Sequence, residues 1–318
     1  MNSTLLEVSH LNKTFKARTG NRHAAEIRAV EDVSFSLPRG TTLGLVGESG
    51  SGKTTVGKCV LRSETPDSGE ILFEGVPLTA RNIKNYRSRI QIVFQNSSGS
   101  LNPAMTLYQI IAEGIRANRI CASRAEEQER IRRLIVEVGL STEDLSKHPT
   151  ELSGGQQQRV GIARALAVDP ALLICDEPVS ALDVSYQAQI INLLADLQES
   201  RQLSYLFISH DLSVVSTIAD AVAVMFHGKI VEYGKKDDVF FHPLHPYTRE
   251  LLAAVPVADP EQARKKDNHL LLHLSADVNN GCPYYHRCQK AQTRCQTQRP
   301  ELMEAEPEHR CACLLCAD

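Results

Sequence analysis

No stretch of the sequence approaches the roughly 20 consecutive apolar residues that a bilayer span requires. Any membrane association must therefore come through a partner. A basic surplus is missing as well: 35 Lys and Arg face 38 Asp and Glu, a net charge of −3. Without a positive field to draw in a phosphodiester backbone, nucleic acid is not an expected partner. The start, Met1-Asn2-Ser3-Thr4-Leu5-Leu6-Glu7, lacks a charged leader region and a long apolar segment, so no export signal is read and the chain is expected in the cytosol. No internal repeat is visible. Cysteine is scarce through the first 281 residues, where only Cys59, Cys121 and Cys175 occur. What remains is ordinary globular composition, 42% hydrophobic and 23% charged over 318 residues. That length holds one full-sized α/β domain plus a smaller appendage, and disordered, collagenous or coiled-coil architectures are excluded.

Short apolar runs separated by turns open the chain. Leu5–Val8, Val33–Leu37 and Ile71–Phe73 read as strands. Thr42–Val46 runs straight into a glycine-rich loop, and Ile90–Phe94 is a further buried strand. From about 105 to 150 apolar residues recur at helical spacing, with Ile110, Ile111 and Ile115, then Leu134, Ile135 and Val138. Residues 171–175 form a continuous apolar run, the mark of a strand covered on both faces. Gln187–Glu199 places Ile190, Leu194 and Leu197 on one helical face, and Tyr205–Ile208 and Ala221–Phe226 are buried strands. Strands alternating with helices predict a largely parallel sheet with crossover helices. Glycine and prolines punctuate 234–260, and 257–280 reads as a polar linker.

Gly47-Glu48-Ser49-Gly50-Ser51-Gly52-Lys53-Thr54 fits the phosphate-loop pattern G-x-x-x-x-G-K-[ST], after a strand and before an expected helix, Thr55–Leu61. Glycines let successive N–H groups turn inward on phosphate oxygens, and the helix start adds its positive end. Lys53 can reach the outer phosphates, and the Thr54 hydroxyl offers Mg²⁺ a hard oxygen. The apolar run at 172–175 ends in Asp176-Glu177, placing two carboxylates at the ligand edge of an open parallel sheet. Asp176 can hold Mg²⁺ through water, and Glu177 can polarise a water at the terminal phosphate.

Leu152-Ser153-Gly154-Gly155-Gln156 stands 20 residues ahead of that strand, with Ser153 a natural helix N-cap. This segment resembles the signature motif of ATP-binding cassette (ABC) ATPases, and other motifs of the family follow in order. Gln95 resembles the Q-loop glutamine, Ser180-Ala181-Leu182-Asp183 the D-loop, and His210 the switch histidine. Phe15 sits where the family stacks an aromatic on adenine. The resemblance covers about residues 4–256. Ser100-Leu101-Asn102-Pro103 and Phe241–Leu252 look like the oligopeptide/dipeptide importer branch, which also includes nickel and glutathione importers, and the loop region looks more like the second of its two paired ATPases. Asn96-Ser97-Ser98-Gly99 departs from the branch, whose Asp-Pro-aromatic stretch there faces the permease.

The resemblance implies a P-loop NTPase fold: an N-terminal antiparallel β-subdomain, a mostly parallel sheet, a helical subdomain inserted at about 97–166, and a C-terminal extension over 257–318. It implies ATP hydrolysis by in-line attack of water. Residues 47–55, Thr55 included, would bind ATP, Thr54, Gln95 and Asp176 would hold Mg²⁺, Glu177 would be the general base, and His210 would brace the terminal phosphate. Ser153, Gly154, Gly155, Gln156 and Asp183 would act on the ATP of a second ATPase subunit closed head to tail. Two transmembrane permease subunits and a periplasmic or extracellular substrate-binding protein would complete the importer. The chain would then sit peripherally on the cytoplasmic side of the cell membrane. The contrasting readings are a soluble cassette ATPase acting on DNA or ribosomes, and a module that binds without hydrolysing. The short interval between loop and acids, without heptads, argues against the first; Glu177 and His210 argue against the second.

Six cysteines crowd the last 37 residues: Cys282, Cys288, Cys295, Cys311, Cys313 and Cys316. In a cytosolic protein such a cluster reads as a metal site before it reads as disulfides. By resemblance to peptide-importer ATPases, Cys282, Cys288, Cys295 and Cys313 would hold a [4Fe–4S] cluster, with Cys311 or Cys316 able to replace Cys313. Four thiolates would equally suit structural zinc.

Overall fold

The computed structural model describes residues 4–17, 25–95, 97–254 and 281–316. The 257–280 segment read as a linker lies outside the described residues.

Two long strands, β1 (Thr4–Ala17) and β2 (Ala25–Pro38), pair antiparallel along their length, with several register shifts. β4 (Ser68–Phe73) joins the other edge of β1, and the two-residue β5 (Val76–Pro77) completes a four-stranded sheet ordered β2-β1-β4-β5. The expected strands at 5–8 and 33–37 are the buried ends of this ribbon. Its outer portion is polar and partly exposed, so no apolar pattern announces it.

The main sheet is built around β3 (Thr42–Val46), β6 (Ile90–Val93), β7 (Leu172–Asp176), β8 (Ser204–Ser209) and β9 (Ala221–Phe226), all mutually parallel. β10 (Lys229–Lys235) turns back antiparallel on β9. Next to it come β12 (His309–Cys311) and β11 (Met303–Glu306), giving the order β11-β12-β10-β9-β3-β8-β7-β6. The C-terminal segment is therefore not a bead beyond a linker, because two of its strands continue the main sheet.

Alternation along these strands divides the interior into two layers. Leu173, Cys175, Tyr205, Phe207, Val222 and Val224 face a helical layer, while Leu172, Ile174, Leu206, Ile208, Ala223 and Met225 face the N-terminal sheet and α1 (Lys53–Val60). Every residue of β7 and β8 is buried, as a strand covered on both faces requires.

Between β6 and β7 stand α2 (Ser97–Ser100), α3 (Leu107–Ala117), α4 (Arg124–Glu137) and α5 (Gly154–Leu166). Thr106 and Gln109 cap α3 reciprocally, satisfying N–H groups that a helix start leaves open. Glu127 on α4 is buried because Arg116 of α3 grips both its oxygens, at 2.7 and 2.8 Å, and the Tyr108 hydroxyl donates to it. After β7, α6 (Val184–Arg201) and α7 (Leu212–Ile218) cross back over the sheet. α8 (Lys236–Phe241) and α9 (Pro246–Ala254) follow β10. The short α10 (Thr293–Thr297) belongs to the tail.

Candidate nucleotide-binding site

The carboxyl ends of the parallel strands define one edge, where open α/β sheets bind ligands. β3 ends opposite β8 at Val46 and Ser209, and β7 ends opposite β8 at Asp176 and Ile208. The loop 47–52, the Asp176-Glu177 pair and His210 therefore converge by topology alone.

Two glycines fix the loop. At Gly47, φ is +147° and a Cβ would fall 2.1 Å from the Met225 carbonyl oxygen. At Gly52, φ is +104° and a Cβ would fall 2.0 Å from the Ala29 carbonyl oxygen. Only glycine tolerates that backbone and that approach. The turn closes with Ser51 N–H donating to the Glu48 carbonyl at 3.1 Å, and α1 starts at once with Lys53. The expected helix thus begins two residues earlier, which puts the Thr54 and Thr55 side chains in its first turn. The Lys53 ammonium lies back over the loop and donates to the carbonyls of Gly47 (2.7 Å) and Glu48 (2.8 Å). Burial pulls the Lys53 pKa below the ordinary lysine value, and the nearby carboxylates of Glu177, Asp176 and Glu48 counter it.

Thr54 Oγ1 donates to Asp176 Oδ1 at 2.9 Å. Burial raises the Asp176 pKa, and that hydrogen bond works in the opposite direction. Glu177 takes φ of +48°, a strained value for a residue with a side chain, and such strain gathers at functional sites. Its carboxylate is held from two sides: Gln95 Nε2 donates to Oε2 at 2.9 Å, and His210 Nδ1 lies 3.2 Å from Oε1. Gln95, Glu177 and His210 thus meet around one carboxylate.

The remaining predicted residues lie elsewhere in the fold. Ser153 caps α5, accepting from Gln156 N–H at 3.3 Å, while Gln156 Oε1 accepts from Ser153 N–H at 3.0 Å. Gly154 faces Leu182 and Gly155 faces the Tyr186 ring, so this turn packs on the segment after Glu177. Asp183 caps α6, its Oδ1 accepting from Tyr186 N–H at 3.1 Å. Phe15 on β1 pairs opposite Ile27, with the Lys13 ammonium 5.3 Å over its ring. Glu48 departs from the expectation of a nucleotide contact. Its carboxylate turns away to Arg287, its N–H donates to the Tyr247 hydroxyl at 2.9 Å, and its carbonyl serves Lys53 and Ser51. Sequence reasoning misses both Tyr247 and Arg287. Tyr247 stands in the His-Pro-Tyr stretch that carries the branch resemblance, but nothing local says that its hydroxyl reaches the loop.

The tail cysteines do not form the expected ligand set. Among the described residues, no group of three or more His, Cys, Asp or Glu side chains stands together so as to hold a metal ion. Burial pushes the Cys282 thiol up to about 11, with Cys295, Cys313 and Cys288 nearby adding to the effect. The Cys313 thiol is raised by its hydrogen bond to Cys316 and then by burial, and Cys316 Sγ also lies 3.4 Å from Cys311 Sγ. Cys282, Cys288, Cys295 and Cys313 as placed are therefore not brought together as a ligand group, and no chemistry is assigned to a [4Fe–4S] cluster. Packing organises the tail instead. His309 Nε2 lies 2.8 Å from Glu232 Oε1, both buried, and the same carboxylate accepts from the Leu244 and His245 N–H groups.

A glycine-fixed loop of the phosphate-binding pattern, a carboxylate beside its threonine and a second carboxylate bracketed by glutamine and histidine are the arrangement a nucleotide-hydrolysing site needs. Comparison with known proteins agrees. A family profile described as ABC transporter matches residues 30–180, and the chain belongs to the ATP-binding cassette family of transport ATPases. Within that family it falls in the oligopeptide/dipeptide transport branch, since the profile of the branch's C-terminal region matches residues 231–295. It is 46% identical to the oligopeptide transport ATP-binding protein AppF of Bacillus subtilis over 98% of this chain and 97% of AppF. With OppF of the same organism it shares 45% identity over 84% of this chain and 87% of OppF. Among solved structures, cbiO1 of Clostridium perfringens, part of the ABC transporter complex cbiONQ, superposes with a TM-score of 0.65 at 28% identity, over 75% of this chain and 91% of cbiO1. The cassette MJ0796, solved as a dimer with ADP and phosphate, gives 0.65 at 26% identity, over 73% of this chain and 99% of its own. Among the described residues, no helix is long and apolar enough to cross a membrane.

Proposed function

We infer that this chain is the ATP-hydrolysing subunit of a peptide importer, bound peripherally to the cytoplasmic face of two transmembrane permease subunits. The single observation that carries its chemistry is the Glu177 carboxylate held between Gln95 and His210, beside Asp176 on Thr54. The substrate side of the reading is supported by the C-terminal branch profile and by what AppF and OppF are named for.

The loop N–H groups and Lys53 bind the phosphates of ATP, with Thr55 beside them at the helix start. Phe15 offers a ring to the adenine. Thr54, Asp176 and Gln95 present the hard oxygen donors that Mg²⁺ prefers, and the ion would neutralise charge on the phosphates. Glu177 orients the attacking water and takes up its proton at a carboxylate oxygen, while His210 bridges that carboxylate and the terminal phosphate. Positioning and charge compensation account for most of such catalysis, because phosphoryl transfer asks little covalent work of the protein. Ser153, Gly154, Gly155, Gln156 and Asp183 line a face that completes the site of a second ATPase subunit, so two subunits close head to tail on ATP. A substrate-binding protein outside the membrane delivers the cargo.

The test uses the chain assembled with its permease partners. Glu177→Gln should lower ATP turnover by about 10²–10⁴-fold, the usual contribution of a positioned base, while ATP binding persists. Lys53→Ala should lose ATP binding. Undiminished turnover in Glu177→Gln refutes the assigned base, and absence of any stimulation by peptides with the binding protein present refutes the cargo.

A further inference from the structure

The C-terminal segment reaches the nucleotide site through one side chain. Arg287 donates from Nη1 to Glu48 Oε2 at 3.0 Å and from Nη2 to Glu48 Oε1 at 2.8 Å. It also donates from Nη2 to Glu250 Oε1, on α9, at 2.7 Å. The Tyr284 hydroxyl donates to the other oxygen of Glu250 and so holds that carboxylate in place. The guanidinium carbon lies 5.6 Å from the ring centres of Phe226 and Tyr284 and 5.8 Å from that of Tyr247. With its side chain only 13% exposed, this is not a mobile surface pair. A two-pronged guanidinium–carboxylate contact with little access to water fixes direction as well as distance.

Its partner is the second residue of the phosphate loop, and each polar group of that residue is engaged. The tail holds the side chain, Tyr247 accepts from the N–H, and Lys53 and Ser51 donate to the carbonyl. Beyond Glu48 the loop is exposed at Ser49 and Gly50, and around Gly50 nothing lies within contact distance of where a Cβ would stand. Glu48 is thus where the outer half of the loop is tied down. Moving it moves the carbonyl on which the Lys53 ammonium rests.

We propose that Arg287 is a positioning residue for ATP: the tail sets the loop and Lys53 in their binding geometry through the Arg287–Glu48 pair. The proposal rests on the reading that residues 47–54 hold ATP. A pair that merely docked the tail would affect stability and leave nucleotide affinity alone, so the decisive readout is affinity against turnover at saturation.

The full chain with its partners is titrated with ATP. Arg287→Gln should weaken ATP binding and raise the KM for ATP by about tenfold, a usual size for coupling between two sites, with kcat within about twofold of the parent. Glu48→Gln, which removes the loop's end of the pair, should do the same, and the double variant should be no worse than either single one. Arg287→Lys, which keeps the charge and loses the fork, should fall between. Arg310→Ala, a tail change directed at Tyr233, should bind ATP like the parent. Parent-like ATP affinity in Arg287→Gln or Glu48→Gln, or additive losses in the double variant, overturns the proposal. Should Arg287→Gln fail to fold, Glu48→Gln decides the question by the same measurement. When the parent binds ATP and Lys53→Ala does not, a parent-like Arg287→Gln overturns this inference alone. A parent chain that bound no ATP would overturn the reading beneath it as well.

Discussion

His245 gives the protein a sharp sensitivity to acid. The residue is 2% exposed and its Nδ1 accepts from Tyr247 N–H at 3.1 Å, which requires a neutral ring with its proton on the other nitrogen. Burial drives its pKa from 6.5 to about 4. A histidine depressed in the fold stays neutral there while the unfolded chain takes up a proton, so its stabilising effect is complete above pH 6.5 and is lost as pH falls towards 4. At about 1.4 kcal/mol per pKa unit, the full loss is about 3 kcal/mol, of which about 2 kcal/mol falls between pH 7 and pH 5. His245→Asn supplies a non-titrating acceptor for the same N–H. Denaturant unfolding of both proteins at pH 7, 6 and 5 should therefore show the parent losing about 2 kcal/mol more than the variant across that span. The variant starts lower at pH 7, because the packing of the ring on Tyr284 is gone. Parallel stability curves would refute the argument, whatever their offset. The residue matters beyond stability, because the Tyr247 it orients receives the N–H of Glu48.

Asp176→Asn should melt at a higher temperature than the parent without nucleotide. Burial raises the Asp176 pKa, so ionisation costs the fold stability as pH rises above the unfolded value, and asparagine removes that cost. The same variant should lose the stabilisation that MgATP gives the parent, and a lower melting temperature without nucleotide would contradict the sign. Gly52→Ala would place a Cβ 2.0 Å from a carbonyl oxygen at a φ of +104°. A left-handed residue alone costs about 1–2 kcal/mol, the loop must shift further to relieve the clash, and ATP binding should fall by more than about tenfold. Unchanged nucleotide affinity by equilibrium titration would show that the loop accommodates the methyl group.

The sequence reveals the centre of the fold better than its edges. Leu172–Cys175 and Tyr205–Ile208 are legible because strands covered on both faces carry unbroken apolar runs. β1 and β2 read short because their outer halves carry polar residues and register shifts, which blur a period of two. Gly47, Gly52, Lys53, Thr54, Asp176 and Glu177 are legible because phosphate chemistry demands those residue types at fixed spacing beside a strand. Arg287 and Tyr247 are not, because their contacts with Glu48 span 239 and 199 residues and a lone polar contact leaves no periodic trace. The tail is hard to read for a related reason. Counting cysteines shows that thiols are abundant, whereas whether they converge depends on side-chain placement that no spacing rule fixes. The pairing of β12 with β10 is equally hidden, since a three-residue strand meets a partner far back along the chain only through Glu232 with Cys311 and Tyr233 with Arg310.

That pairing changes what flanks the catalytic layer. With β12 and β11 in place, the outermost strand on that side is Met303–Glu306, four exposed residues of which two are glutamates. Short, acidic borders discourage chains from zippering together. Without them, the apolar Ile230 and Val231 of β10 would sit on the rim. Removing the terminal segment is therefore expected to open this rim to strand addition by a neighbouring copy.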